Sequence, residues 1–443
     1  MFRSVLFCFS WRLKGKRSRE RGLNEVTAEV VIMNKKGMAL AADSAITSGA
    51  EGFQKVYHSA NKLFSLSKKH PIGIMIYGSA SFMEVPWEVI IKSFRQDLGD
   101  RHFDHLADYA TAFLEFISTD DRFKQIEIEQ VIVDRTFSDQ LKWIVKEVED
   151  KIDRYSDAPI DQEKVMAWLE EATETEIAYY KQQENKLLEF EFKPFKKRFM
   201  PLISEIAHEL IAYPIEKSLE HKFVELAYEA AQKDYFSRGS SGLVICGYGE
   251  KEIFPHLVNY RLEGFLFGQL KSKKVKEKRI SYSPNQDNGT ACITAFAQTE
   301  MVESFMYGME PEMKKAIDKI VENVLHSYGE QIQKHTSIQL TNEQVIQLQK
   351  LGREMYASIE DAVKEYQQED YIDPLLDIVR ALPKEELADM AESLINLTSF
   401  KRRVMRAHES VGLPADVAIL TKGDGFVWVK RKEYVDPSIN FHL

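Results

Sequence analysis

Cysteine is scarce in this 443-residue sequence: Cys8, Cys246 and Cys292 lie far apart, which excludes a disulfide frame and a zinc ribbon. Two of them sit in the apolar runs Val244-Ile245-Cys246 and Ala291-Cys292-Ile293 and read as small buried hydrophobes of a reducing compartment. No stretch approaches the roughly 20 apolar residues of a membrane-spanning helix, so the chain is expected to be cytoplasmic with no membrane partner. Positive charge is not in excess either. A formal net charge of -10 argues against a nucleic-acid partner, because phosphate-rich surfaces select a basic footprint. Histidines such as His102, His105 and His208 lack a metal-binding spacing, and Gly247-Tyr248-Gly249 has no helix start to make it a phosphate loop. No metal and no cofactor are expected.

What is present is a chain that is 44% hydrophobic, enough for a large core. Residues 1–26 read as a leader, apolar first and basic over 14–21, which is the wrong order for a secretory signal. Residues 27–33 and 38–42 predict two strands joined by the turn Asn34-Lys35-Lys36-Gly37. A second pair is predicted at 62–67 and 72–77. Both pairs are apolar nearly throughout, so both faces of their sheets are expected to be covered. Helical spacing at 81–98 puts Trp87, Ile90, Ile91 and Phe94 on one face.

Residues 101–234 are charged and amphipathic, and predict a helical insertion. Strands return at 242–247, 257–262 and 290–296, with 271–289 read as a polar loop. Further helices are expected from 301 to about 408, those at about 309–408 being extra to the core, with breaks near Asp373-Pro374 and Leu382-Pro383. Asp424-Gly425 between apolar runs at 416–421 and 426–430 is a strong hairpin signal. The series predicts an α+β fold in which two sheets pack face to face between outer helical layers, all within one domain over 27–443.

Three short blocks carry a resemblance. Thr27 heads the first strand, Met38-Ala39-Leu40-Ala41-Ala42-Asp43-Ser44 ends the second, Asn61-Lys62-Leu63-Phe64 opens the third, and Gly73 to Gly78 follow. Together with the last hairpin, these blocks resemble the proteasome β-subunit and its bacterial ring-peptidase relatives among the N-terminal-nucleophile hydrolases. The long helical stretches do not match. The resemblance implies a four-layer αββα sandwich with large helical insertions. It also implies that Thr27 is a nucleophile whose own α-amine serves as base, that Lys62 is a fixed positive charge beside it, and that Asp43 anchors Lys62. The N–H of Gly78 would meet the oxyanion, and Ile46 and Ile76 would shape an apolar substrate pocket.

The chemistry is sound in its own right. A threonine hydroxyl needs a base, and an α-amine titrates near pH 7.7–8.0, well below a lysine. The implied activity is a threonine peptidase acting on peptides or unfolded protein, assembled as a homo-oligomeric ring or a related form; an ATPase regulator stays open. A hydrolase of small amides of the same class, or a non-catalytic assembly subunit, are the alternatives. The family's basic residue two positions past the acid is Ala45 here, and its later serine and acid positions read Ala297-Gln298-Thr299 and His408-Glu409-Ser410. Exposure of the Thr27 amine needs the residues before it to be absent, either because translation starts at Val26 or because the leader is removed.

Overall fold

The computed structural model describes residues 28–48, 55–57, 61–154, 161–283, 289–336, 338–404 and 414–432. Thr27, the leader 1–26, Glu409 and Ser410 lie outside the described residues. The chain is a mixed α+β protein with antiparallel sheets.

In chain order, the first strands are β1 (Ala28–Asn34), β2 (Gly37–Ala42), β3 (Ile46–Ser48), β4 (Lys55–Tyr57), β5 (Leu63–Ser65), β6 (Ile72–Gly78), β7 (Ser81–Phe82) and β8 (Val85–Pro86). Helices α1 (Trp87–Leu98), α2 (Leu106–Thr119), α3 (Ile126–Arg154), α4 (Gln162–Gln182), α5 (Phe192–Leu210) and α6 (Lys217–Gln232) follow. Strands β9 (Ser241–Gly247), β10 (His256–Leu266), β11 (Gln269–Arg279) and β12 (Ala291–Ala297) come next. After them run α7 (Glu300–Tyr307), α8 (Pro311–His335), α9 (Asn342–Gln367), α10 (Asp373–Ala381) and α11 (Lys384–Val404), then β13 (Asp416–Thr421) and β14 (Gly425–Lys430).

One five-stranded sheet has the order β12-β1-β2-β13-β14, the other β11-β10-β9-β6-β5. Strand alternation assigns their faces. On β1, Val31 and Met33 join Met75, Val244 and Cys246 of the other sheet in one buried cluster, so these faces meet. The intervening Val30 and Ile32 pack instead with Leu387, Ala391 and Ile395 of α11. On the far side of the second sheet, Ile74, Ile76 and Ile245 pack with Ile91 and Phe94 of α1 and Phe113 of α2. The expectation that both faces of these strands are covered therefore holds: every residue of β1 and β2 is buried. Gly73 marks how close the sheets come, since a Cβ there would stand 3.0 Å from Leu40 Cδ1. The β1–β2 turn is tied down by Asn34, whose side-chain amide donates to the carbonyls of Val379 and Leu382 at 2.8 and 3.0 Å.

Three expectations are corrected. The helix predicted at 81–98 begins only at Trp87, because Ser81–Phe82 and Val85–Pro86 pair as a small hairpin and Pro86 sits at the helix cap. Residues 271–279, read as part of a polar loop, lie in the edge strand β11. Its lysines are what an exposed sheet edge carries to discourage further pairing, and they hide the strand from a hydrophobic pattern. The stretch 101–234 is not one unit: α2 belongs to the layer over the second sheet, while α3 to α6 enclose their own core around Phe137, Phe195, Phe199 and Phe223.

Lys271 on β11 is 2% exposed, and its ammonium has no hydrogen-bond partner among the described residues. Its nearest compensation is the Phe236 ring, 5.5 Å from Nζ to the ring centre, together with the charges of Glu263 and Asp234. Burial outweighs them and pulls its pKa down to about 8. Because an unfolded lysine titrates near 10.4, the unfolded chain holds this proton more tightly. The penalty is complete below pH about 8 and fades as pH rises towards 10.4, on the order of 3 kcal/mol in all. Lys271→Met is therefore expected to raise stability at pH 7 by about 1–3 kcal/mol, with the gain shrinking by pH 9.5. Urea unfolding at both pH values checks this, and a loss of stability at pH 7 contradicts it.

Candidate active site

The start of β1, the end of β2, the start of β5 and the end of β6 carry the residues singled out in the sequence. In the first sheet Glu29 pairs with Ala42, so Asp43 emerges beside Ala28. Two backbone contacts fix it there. The Asp43 N–H donates to the Ala28 carbonyl at 3.0 Å, and the Ala28 N–H donates to Asp43 Oδ1 at 3.0 Å. The second carboxylate oxygen, Oδ2, accepts the N–H of Ala45 at 3.0 Å, which makes Asp43 a cap for the turn leaving β2.

Lys62 comes from the other sheet. Its carbonyl accepts the N–H of Ile76 at 2.9 Å, which extends the β5–β6 ladder by one residue and fixes where the side chain starts. Its ammonium reaches Asp43 Oδ1 at 2.7 Å, and the two side chains are 6% and 0% exposed. One carboxylate oxygen thus takes both the ammonium and the amide of the residue that follows Thr27. A pair this buried is expensive to desolvate, and geometry with several hydrogen bonds is what makes it tolerable.

Gly78 ends β6 with φ of 77°, a conformation that favours glycine, and a Cβ there would lie 2.6 Å from the Ser240 carbonyl. The next residue, Ser79, donates its N–H to that same carbonyl at 3.1 Å. Ile76 is buried, but it packs in the cluster beneath α1 and α2. Ile46 lies in the separate β3–β4 hairpin, where it pairs with Tyr57.

Several residues at this end escaped the sequence reading. Asp416 pairs across the sheet with Ala42 and accepts two bonds from Lys432, the main-chain N–H on Oδ1 at 2.9 Å and the ammonium on Oδ2 at 3.1 Å. Burial lowers the Lys432 pKa; Asp416 opposes that, the charge of Lys62 adds to the lowering and that of Asp43 resists it. Two aspartates and two lysines are therefore electrostatically coupled at the head of the first sheet. No local pattern gives this away, because it depends on β13 lying against β2.

Ala297, opposite Ala28 on β12, has a left-handed φ of 63°, uncommon for a residue with a side chain. Ser44 is fully buried, and its hydroxyl finds no hydrogen-bond partner among the described residues. Glu29 is also fully buried, on the strand face shared with Val31 and Met33. Burial, with the Glu29 charge as a lesser cause, pushes the Cys246 thiol up, so that cysteine is held as an unreactive thiol.

Among the described residues no group of three or more His, Cys, Asp or Glu side chains is placed to hold a metal ion, and no helix is long and apolar enough to cross a membrane. The sequence matches no protein-family model and no curated protein.

Proposed function

We propose that the chain is a threonine hydrolase of the proteasome-like, N-terminal-nucleophile kind, acting on peptide bonds and built as a four-layer αββα sandwich with helical insertions. The layered architecture is supported by the three clusters that join helices to sheet, sheet to sheet, and sheet to helices. One observation carries the function. The buried Lys62–Asp43 pair is hydrogen-bonded to the amide of Ala28, which is covalently joined to Thr27.

In this reading the free α-amine of Thr27 takes the proton of its own hydroxyl as the oxygen attacks the substrate carbonyl carbon. The Lys62 charge lowers the proton affinity of both groups and stabilises the developing alkoxide, while Asp43 holds the lysine in place. Negative charge on the carbonyl oxygen is met by the N–H of Gly78. Collapse breaks the peptide C–N bond, the amine leaving group carries off the proton, and an ester to Thr27 remains. Water gives a proton to the same amine and attacks the ester carbonyl; the bond from the acyl carbon to the Thr27 oxygen breaks, that oxygen takes the proton back, and the acid is freed. The Lys432–Asp416 pair supports the reading in one more way, since it adds a buried cation and anion within electrostatic reach of Lys62 and Asp43.

An epoxyketone probe tests the proposal, because it reacts with a hydroxyl and an amine on the same residue. Protein beginning at Thr27 is expected to gain the probe's mass on the peptide that starts with Thr27, and Thr27→Ala protein is expected to gain none. Labelling elsewhere, or equal labelling of the variant, contradicts it.

A further inference from the structure

Helices α8 and α9 form an antiparallel hairpin: Gly352 lies against Leu325, and Gly329 against Leu348. That seam leaves a second apolar stripe uncovered. On α8, Met313, Ile317, Ile320, Val324 and Tyr328 recur every third or fourth residue, the spacing of a helix–helix seam, and none is buried. On α9, Leu351, Met355 and Ile359 are four residues apart and Tyr366 follows two turns later, and none of the four is buried.

At 100° per residue, each stripe is rotated from its own helix's seam in the same sense, by about 120° on α8 and about 35° on α9. For two antiparallel helices, rotations in the same sense bring both stripes to one side of the hairpin. The result is a continuous two-helix face. Its apolar side chains expose between 41% and 62% of their surface, and no Asp, Glu, Lys or Arg falls within either stripe.

Area identifies what covers it. Taking about 200 Å² for a whole large side chain, the nine together expose on the order of 900 Å². This exceeds the roughly 300–600 Å² of the largest apolar patch on a typical monomer. It also meets the roughly 800 Å² that each partner contributes to a standard interface. A two-fold contact sets the same apolar face of each copy against the other, so one patch of this size serves both sides.

We propose that this face binds a second copy of the chain, with the two α8–α9 hairpins closing into a four-helix bundle. The proposal does not depend on Thr27, so it stands or falls apart from the hydrolase reading.

Sedimentation equilibrium of the full-length chain tests it. Wild type is expected to associate at micromolar concentration. Ile320→Glu with Met355→Glu is expected to weaken that association at least a hundredfold, with circular dichroism and Tm unchanged, whereas Lys319→Glu, off the stripe, leaves it unaltered. Should the charged pair of substitutions disturb the fold, Ile320→Gln with Met355→Gln takes its place, with weakened association again expected. The proposal is overturned if wild type is monomeric at 100 micromolar or if the variants keep the wild-type mass at every concentration. Two specific forms of failure identify other occupants: a monomer whose stripe resists deuterium exchange has it covered by its own residues 1–27 or 433–443, and a monomer that floats with anionic vesicles uses it on lipid.

Discussion

Lys62→Met is expected to lower peptide hydrolysis by about a thousandfold, the scale on which an aimed, preorganised charge acts at a developing anion. The same change removes the cation that balances a buried carboxylate, and breaking such a pair costs about 3–5 kcal/mol. Lost activity alone would therefore be ambiguous. Adding Asp43→Asn separates the two effects, because the double variant no longer buries the carboxylate charge and leaves an amide whose oxygen can still accept from Ala28 or Ala45. Replacing a whole buried ion pair with neutral groups is often nearly neutral for stability. The double variant is thus expected to regain most of the Tm lost by Lys62→Met while staying as inactive as the single one. Thermal melts and peptide turnover measured on the same samples decide it. A double variant that recovers both would show that the pair acts only as a brace.

The second large effect concerns one peptide bond. A chain that starts at Thr27 is expected to turn over substrate, and the same chain with a single residue ahead of Thr27 is expected to lose about a thousandfold, within the range assigned to a positioned general base. The reason is elementary: an amide nitrogen's lone pair is delocalised into its carbonyl and takes no proton at neutral pH, whereas that of an α-amine is free to do so. Turnover by the shorter chain should rise with pH as that amine loses its proton, from below pH 7.7–8.0 because the neighbouring cation favours the neutral form. Intact mass fixes each chain's first residue, and equal activity of the two chains would exclude the mechanism.

Local features were the legible ones. The β1–β2 hairpin, Asp43 at its exit, Lys62 at the head of β5 and the glycine closing β6 all follow from short stretches in which apolar runs stop at a turn, a charge or a glycine. What the sequence concealed was set by contacts across the chain. Asp416 and Lys432 look like a strand end and a tail until β13 is laid against β2. Ile76 was singled out only by the resemblance; its packing with Ile245 and the helices, while Met75 and Tyr77 take the inter-sheet side, is set by strand parity. β11 was hidden by its lysines, since an edge strand needs only one partner and its other faces answer to solvent. The helix pair α8–α9 read only as helix; its uncovered side became visible once Leu325 and Gly352 fixed which side was taken.

The strand order has a bearing on timing. β1 and β2 leave the ribosome first among the strands, but their outer neighbours in the sheet, β12 and β13, are made much later, and β13 brings Asp416 to Ala42 only when translation is nearly done. Pairings between such distant stretches are slow to close. A nascent chain that has made only β1 and β2 therefore lacks three of the five strands of its first sheet, and the buried faces of those two strands wait for partners that come last.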